Sequence, residues 1–508
     1  MQENLYRKCI NVENIKKAIK EINIHQGSRT AGPDGISIFT GVKETEIIRQ
    51  VKLRLRRYKR VSSRQVEIPK KDGKRRILTI LNLYDRYAQQ AVYRVIAPIV
   101  ESKMSKHSYG FRKGISAKIP ASKIASCILN NENVWTVEID FEKCFDNISL
   151  DKAIGKLKEL GIKDSRLLRT IKHLMFISKE YSGVGLGQGT ILGPLLCNCY
   201  LDKLDKYMES EYELEKVQYN KSRDYKRNKD TWLKWLKDKK KKIHCRYYRF
   251  ADDTIILAST EEEREYIWNK LMVFIETELD LKVNLAKSKK RRNKTDFLGF
   301  HYIKNVGKLW IKVKDEREIY EAAKQKIGKG SVGEVLEFKK YLLGILNYFD
   351  ITNEIGRLLG KIELKLYILS QRGLIKRLEE NGKYKYRTNS CEVDLWGLRR
   401  RTRLSYKEYL IRNVWIKERE KLIIDHPCER QWAKYKWYLY TIQKGMDAIT
   451  GKLLKAEECE IHHIIPRSKS GSDEPENLIL ISEDTHHKLH EGKELPKKAE
   501  KYRKHLSA

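Results

Sequence analysis

Three aspartates and a cluster of histidines are the residues of this chain whose types and spacing can do chemistry. Asp140 closes the apolar run VWTVEID, and Asp252 and Asp253 sit at the turn of RYYRFADDTIIL. A carboxylate at the end of a buried strand costs several kcal/mol if left unpaired. A divalent cation relieves that cost. Mg²⁺ suits such a site because it takes hard oxygen ligands and keeps water and phosphate as the rest. Two such ions about 3.5–4 Å apart can activate a primer 3′-hydroxyl and stabilise a leaving pyrophosphate. Asp140 and Asp252 are the expected ligands; Asp253 is either a third or stands beside them. An Asp-Asp pair in a turn is often no more than turn chemistry, so the surrounding sequence has to decide.

The histidines gather near the end, in CEIHHIIPRSKSGSDEPENLILISEDTHHKLHEG. A short strand ends in His462-His463, a Gly/Ser/Asp loop follows, then NLILI, then a helix carrying His486, His487 and His490. Positions 486 and 490 share one helix face. Imidazoles spaced this way chelate a divalent metal with a third ligand from the hairpin.

The elements that must position these groups are legible from pattern. Residues 11–22 read as an amphipathic helix. The loop GSRTAGPDG runs from Gly27 to Gly35, and the basic helix EIIRQVKLRLRRYK follows. RQVEIP and KRRILTI around Asp72-Gly73 read as a hairpin. Residues 83–104 are helical, 133–140 form a strand, and 243–259 read strand, turn, strand. This order predicts an α+β domain with an antiparallel sheet. Residues 310–425 read as helical and basic. A basic, tyrosine-bearing insertion spans 206–242.

The chain has 508 residues, with 105 Lys and Arg against 68 acidic residues, a formal net charge of +37. Such an excess points to a polyanion, and nucleic acid is the commonest, since each neutralised phosphate releases counterion. No run of 18 apolar residues occurs and MQENLYRKCI has no signal-peptide core, so no membrane partner is expected and the chain reads as intracellular and cytoplasmic. Nine scattered cysteines without CxxC argue against a disulfide framework and a cysteine-type zinc ribbon.

The motifs carry a resemblance. FADD between apolar strands is similar to the YADD core of reverse transcriptases, and IDFEKCFDNI resembles their first metal-binding motif. GQGTILGPLL (Gly187 to Leu196) resembles the PQG segment, and YGFRKG (Tyr109 to Gly114) the family's GFRPGR. LKVNLAKSK and FLGF match the later palm motifs. GSRTAGPDG resembles the N-terminal extension of group II intron-encoded enzymes. The C-terminal pattern resembles the HNH nuclease, a ββα-metal module.

The resemblance implies a multidomain α+β chain. Fingers and palm of a right-hand polymerase would occupy 1–305, an α-helical thumb or maturase domain 306–390, a basic DNA-binding segment 391–425, and the HNH domain 426–508. It implies two Mg²⁺ at Asp140, Asp252 and Asp253. Lys70 and Arg76 would contact the triphosphate, Phe145 would be the steric gate against a ribose 2′-hydroxyl, Gln188 would touch the template–nucleotide pair, and Lys287 would support the site. In the nuclease, His462, His486 and His490 would bind one Mg²⁺, Mn²⁺ or Zn²⁺, with His487 the alternative to His486. His463 would be the general base and Asn477 its support. The implied partners are group II intron RNA, target DNA and dNTPs, in a nucleoid-associated ribonucleoprotein, with a homodimer left open. The implied work is RNA-directed DNA synthesis, intron splicing and nicking of the DNA target. A splicing maturase with little polymerase activity is the alternative.

Three departures stand out: Phe250 replaces the usual tyrosine, ILTIL replaces RPLGIP after Arg76, and LGQG replaces the PQG type. None removes a metal ligand.

Overall fold

The computed structural model describes residues 4–56, 63–69, 75–176, 181–214, 243–328, 330–380, 383–388, 391–402, 435–455, 458–491 and 496. Lys70 and the part of the basic insertion from 215 to 242 lie outside the described residues.

The chain opens with helices α1 (Leu5–Ile10), α2 (Val12–Ile24) and α3 (Glu44–Arg56). In α2 the side chain of Asn11 caps the first turn by accepting from Glu13 N–H, and Ile15, Ala18, Ile19 and Ile22 fall on one buried face. Strands β1 (Ser63–Pro69) and β2 (Arg75–Leu81) form the expected hairpin. The long helix α4 (Leu83–Glu101) then runs through the core, with fifteen of its residues buried. Helix α5 (Lys118–Asn130) leads into the sheet.

That sheet has five strands. They are β3 (Trp135–Ile139), β4 (Tyr212–Glu213), β5 (Ile243–Phe250), β6 (Asp253–Ala258) and β7 (Lys289–Arg292), in the order β4-β5-β6-β3-β7. Only the β4–β5 pairing is parallel. In β6 every residue from Thr254 to Ala258 is buried, the mark of a strand covered on both faces. Helices α6 (Cys144–Asn147), α7 (Leu150–Glu159), α8 (Ser165–Leu174), α9 (Gly193–Glu211) and α10 (Glu261–Glu278) complete this α+β unit. Residues 206–211 of the expected insertion are simply the end of α9.

Strands β8 (Lys294–Phe297), β9 (Phe300–Asn305) and β10 (Lys308–Val313) make a second antiparallel sheet. The β9–β10 hairpin therefore straddles the expected boundary at 305. Three helices follow: α11 (Glu316–Ile327), α12 (Val332–Tyr348) and α13 (Gly356–Gln371).

The expectation of an all-helical 310–425 is corrected here. Strands β11 (Lys376–Glu380), β12 (Lys383–Arg387) and β13 (Glu392–Val393) form a three-stranded sheet. Charged residues dominate them, and only the alternation of Tyr384 and Tyr386 in β12, with Tyr386 buried, marks a strand. Helix α14 (Leu395–Thr402) contains part of the LRRRTR segment, and Arg399 in it is buried. Its guanidinium donates to the carbonyls of Asp350 (3.3 Å) and Thr352 (2.6 Å), so this arginine braces the domain instead of facing DNA. Residues 403–434 lie outside the described residues.

Last come α15 (Lys436–Ile442), the hairpin of β14 (Cys459–His463) with β15 (Leu478–Ser482), and α16 (Glu483–His490). Tyr435, Leu439, Tyr440 and Leu454 are buried, so apolar packing stabilises this part of the chain. Among the described residues no helix is long and apolar enough to cross a membrane.

Candidate active sites

The first site is built by strand register. Ile139 pairs with Thr254 across β3 and β6, which brings Asp140, one residue beyond β3, beside Asp253 at the start of β6. Phe250 and Asp253 face each other at the hairpin end, and Ala251 takes the left-handed conformation (φ 59°) that closes it. Asp252 thus projects from the tip. The end of β3 is tied down as well. Asp140 N–H donates to Ser288 Oγ (3.1 Å) and its carbonyl accepts from Asn284 N–H (2.7 Å).

These carboxylates line one cavity of about 1340 Å³, together with Arg76, Phe145, Gln188 and Lys287. Residues far apart in the chain thereby line one cavity, while Lys70 lies outside the described residues. Burial raises the carboxyl pKa of Asp252, with Asp140 adding like charge and Arg76 and Arg249 opposing. Desolvation likewise pushes Asp253 up to about 6, with Asp252 and Asp140 adding to it and Lys314 opposing. Asp253 is nevertheless open to the cleft, so water there tempers the shift. Crowded carboxylates that resist shared ionisation are the donor set a hard cation fits.

Sequence reading missed what lies beneath the turn. Arg249, fully buried, spends its whole guanidinium there. It donates to both carboxylate oxygens of Asp205 (2.8 and 2.5 Å), to Asn198 Oδ1 (3.0 Å), to Ser108 Oγ (2.8 Å) and to the carbonyl of Ala251 (2.8 Å). Gly110 packs from the same side, and a Cβ there would overlap Ala251. On the fingers side, Thr79 N–H donates to the carbonyl of Gln188 (2.6 Å), and a Cβ on Gly189 would lie 2.7 Å from the Thr79 carbonyl. Close backbone approach is why glycine stands at 110 and 189. Phe111, Arg75 and Lys282 also line the cavity and were not anticipated.

The second site gathers His462, His486 and His490, one ring nitrogen from each lying within 4.8 Å of the others. His462 comes from β14, the other two from consecutive turns of α16. The Nε2 of His462 is buried and has no hydrogen-bond partner. Burial, then the neighbouring imidazoles, lowers its pKa to about 4, which leaves it neutral with a free lone pair. An orphaned buried nitrogen facing two more imidazoles fits a divalent metal. His486, whose Nδ1 lies 2.5 Å from Glu460, belongs to the cluster, and His487 does not. His463 points elsewhere, its Nε2 at 2.8 Å from Asp473 Oδ1. Asn477 accepts from Ile465 N–H (2.8 Å) and donates to the carbonyls of Ile465 (2.9 Å) and Ser472 (2.8 Å), which pins the loop between the two strands.

Comparison with known families agrees with both geometries. Residues 68–302 match the reverse transcriptase (RNA-dependent DNA polymerase) family, and residues 449–492 match the HNH endonuclease family. A group II intron-encoded protein of Lactococcus lactis subsp. cremoris, LtrA, is 27% identical over 56% of this chain and 53% of its own length. The chain carries a reverse transcriptase domain and an HNH endonuclease domain, and it is similar to group II intron-encoded proteins.

A COX1/OXI3 intron 2 protein of Saccharomyces cerevisiae is 28% identical over 55% of this chain and 36% of its own length. The matched stretch thus spans about half or less of these two relatives. Among solved structures, apo telomerase from Candida tropicalis aligns with a TM-score of 0.36 at 11% identity, over 61% of this chain and 57% of that one.

The reverse transcriptase and HNH domains touch. Glu474 and Glu476, in the loop that carries Asp473 and Asn477, pair with Lys8 of α1 and Arg94 of α4, the latter at 2.7 Å. Arg94 is also paired with Glu21 of α2.

Proposed function

We propose that this protein is the RNA-directed DNA polymerase of a group II intron ribonucleoprotein. In this reading it assists splicing of that RNA as a maturase, nicks target DNA with the HNH centre, and copies the intron from the 3′-hydroxyl so made (retrohoming). The observation that carries the reading is the convergence of Asp140, Asp252 and Asp253 on one cavity with Arg76, Phe145, Gln188 and Lys287. A maturase with a relic palm has no need of that set.

The fingers and palm would be 1–305, the thumb 306–390, the basic segment 391–425 and the nuclease 426–508. Asp140, Asp252 and Asp253 would hold two Mg²⁺, which supply charge neutralisation at the phosphate and a primed 3′-hydroxyl. Arg76, and Lys70 on the same hairpin, would neutralise the triphosphate. Phe145 would exclude a 2′-hydroxyl, Gln188 would bear on the nascent pair, and Lys287 would support it from the 284–288 loop. In the nuclease, His462, His486 and His490 would hold one divalent ion, which offsets charge on the scissile phosphate. His463, oriented by Asp473, would take the proton from attacking water. Asn477 would keep the loop in place. The work would be intracellular, on the nucleoid, with intron RNA, target DNA and dNTPs as partners, as monomer or homodimer.

The test is primer extension on an RNA template with dNTPs and Mg²⁺. The purified protein extends a DNA primer, and Asp252→Ala abolishes extension while RNA binding is retained. Normal extension by Asp252→Ala removes the assignment. His463→Ala is expected to lose DNA nicking and keep extension.

A further inference from the structure

Phe111 carries a conformation that its own chemistry disfavours. Its φ is +56°, a region a bulky side chain adopts only when its surroundings impose it. Those surroundings are visible on both sides. The carbonyl of Gly110 accepts from Asn198 Nδ2 (2.7 Å), and Gly110 is wedged against the Phe250–Ala251 backbone. Arg112 is buried, donating from Nε to Glu101 Oε2 (2.7 Å) and from one terminal nitrogen to the carbonyls of Ser105 and Ser108 (2.7 Å each). Two fixed neighbours hold the residue between them in a strained turn.

That turn delivers the ring into the cavity of the three aspartates. Phe111 is 46% exposed, an unusual placement for a phenylalanine in a rigid backbone. Its ring stands edge-on to that of Phe145, centroids 6.0 Å apart and planes at 88°. Phe145 itself is half-buried on the four-residue helix Cys144–Asn147. Phe145 packs against the hydrophobic core, and the edge-to-face contact with Phe111 adds a second support where both rings line the cavity.

We infer that Phe111 positions the Phe145 ring and so sets how strongly a ribonucleotide is refused relative to a deoxyribonucleotide. The inference rests on the polymerase reading above. With the Phe111 ring present, Phe145 cannot swing away from an incoming sugar. Without it, Phe145 gains a rotamer that makes room for the 2′-hydroxyl.

The test compares dTTP with UTP on poly(rA) primed by oligo(dT), for the full chain and for Phe111→Gly, Phe111→Leu and Phe111→Tyr. Glycine removes the ring without adding left-handed strain, while Phe111→Leu removes the ring and keeps a side chain at that φ, so a rise shared by both reports the ring and not the backbone. The expected result is that kcat/KM for UTP rises in absolute terms, by about five- to tenfold in Phe111→Gly, the scale of an edge-to-face aromatic pair. Phe111→Leu rises less, and Phe111→Tyr stays at the wild-type value. A UTP kcat/KM that fails to rise overturns the inference. So does an equal fall for both nucleotides, which marks a structural role, or a rise in the dTTP KM alone, which marks stacking on the base. Absence of dTTP extension by the wild type would instead strike down the polymerase reading, and the inference with it.

Discussion

Gly110 lies directly against Phe250: a Cβ added to it would come within 2.8 Å of the Phe250 carbonyl carbon. The YGFRKG segment and the FADD turn are therefore one packed unit, further joined by the Tyr109 N–H donating to the carbonyl of Arg249 (2.8 Å). Gly110→Ala is expected to lower stability by about 1–3 kcal/mol, the usual cost of overpacking. Urea unfolding gives the stability, and primer extension under native conditions shows whether the displaced turn still works; a silent substitution would contradict the contact.

Arg249 and Asp205 form an ion pair whose side chains are both inaccessible to solvent. Removing one partner strands the other as an uncompensated buried charge, so Asp205→Asn or Arg249→Met is expected to cost about 3–5 kcal/mol. Replacing both, as Arg249→Met with Asp205→Leu, should recover much of the loss in thermal unfolding. Extension should not recover with it, because Ala251 would still lack the donor to its carbonyl.

Glu263 gives a pH dependence. Burial pushes its carboxyl up to about 7, against the hydrogen bonds it accepts from Ser259 and Thr260 N–H. The folded state then binds this proton more tightly than the unfolded chain. The contribution is full below the unfolded pKa near 4.5 and is lost as pH rises through about 7. Glu263→Gln is neutral throughout and keeps an acceptor for the cap. Its advantage over wild type should therefore be larger at pH 8 than at pH 5, by roughly 1–3 kcal/mol in chemical denaturation.

The histidine cluster predicts a metal-dependent stability. Chelator-treated protein carrying Asp252→Ala, which disables the palm set, should gain thermal stability with Mn²⁺ or Zn²⁺. The expected gain is about 2.7 kcal/mol at a hundredfold excess over Kd. His462→Ala and His490→Ala should each abolish the gain, whereas His487→Ala should retain it. Equal gains in all three would place the metal elsewhere.

Much of the palm was legible because its ligands sit at the ends of apolar strands, where pattern and chemistry agree. Asp140, Asp252 and Asp253 were found that way, and the i, i+4 spacing of His486 and His490 found the second cluster. Arg249, Asp205 and Arg399 were not, since nothing in a charged residue's identity tells that its charge is turned inward. Phe111 was read only as part of a motif, because a positive φ on a phenylalanine has no sequence signature. Strands β11 and β12 are short and mostly charged, so the brief Tyr384/Tyr386 alternation is too weak a signal within a basic stretch. The Asn381-Gly382 pair between them was the one turn signal that pointed to a hairpin.

The ion pairs of Glu474 with Lys8 and Glu476 with Arg94 have one further consequence. They join helices α1 and α4 to the HNH domain across a seam that also carries apolar packing, since Tyr435, Leu439 and Ile461 belong to the same buried core as Leu5 and Val92. The ion pairs weaken as counterions crowd in. Ionic strength should therefore loosen the charged rim of the seam while its apolar part, which counterions do not screen, keeps the two domains together.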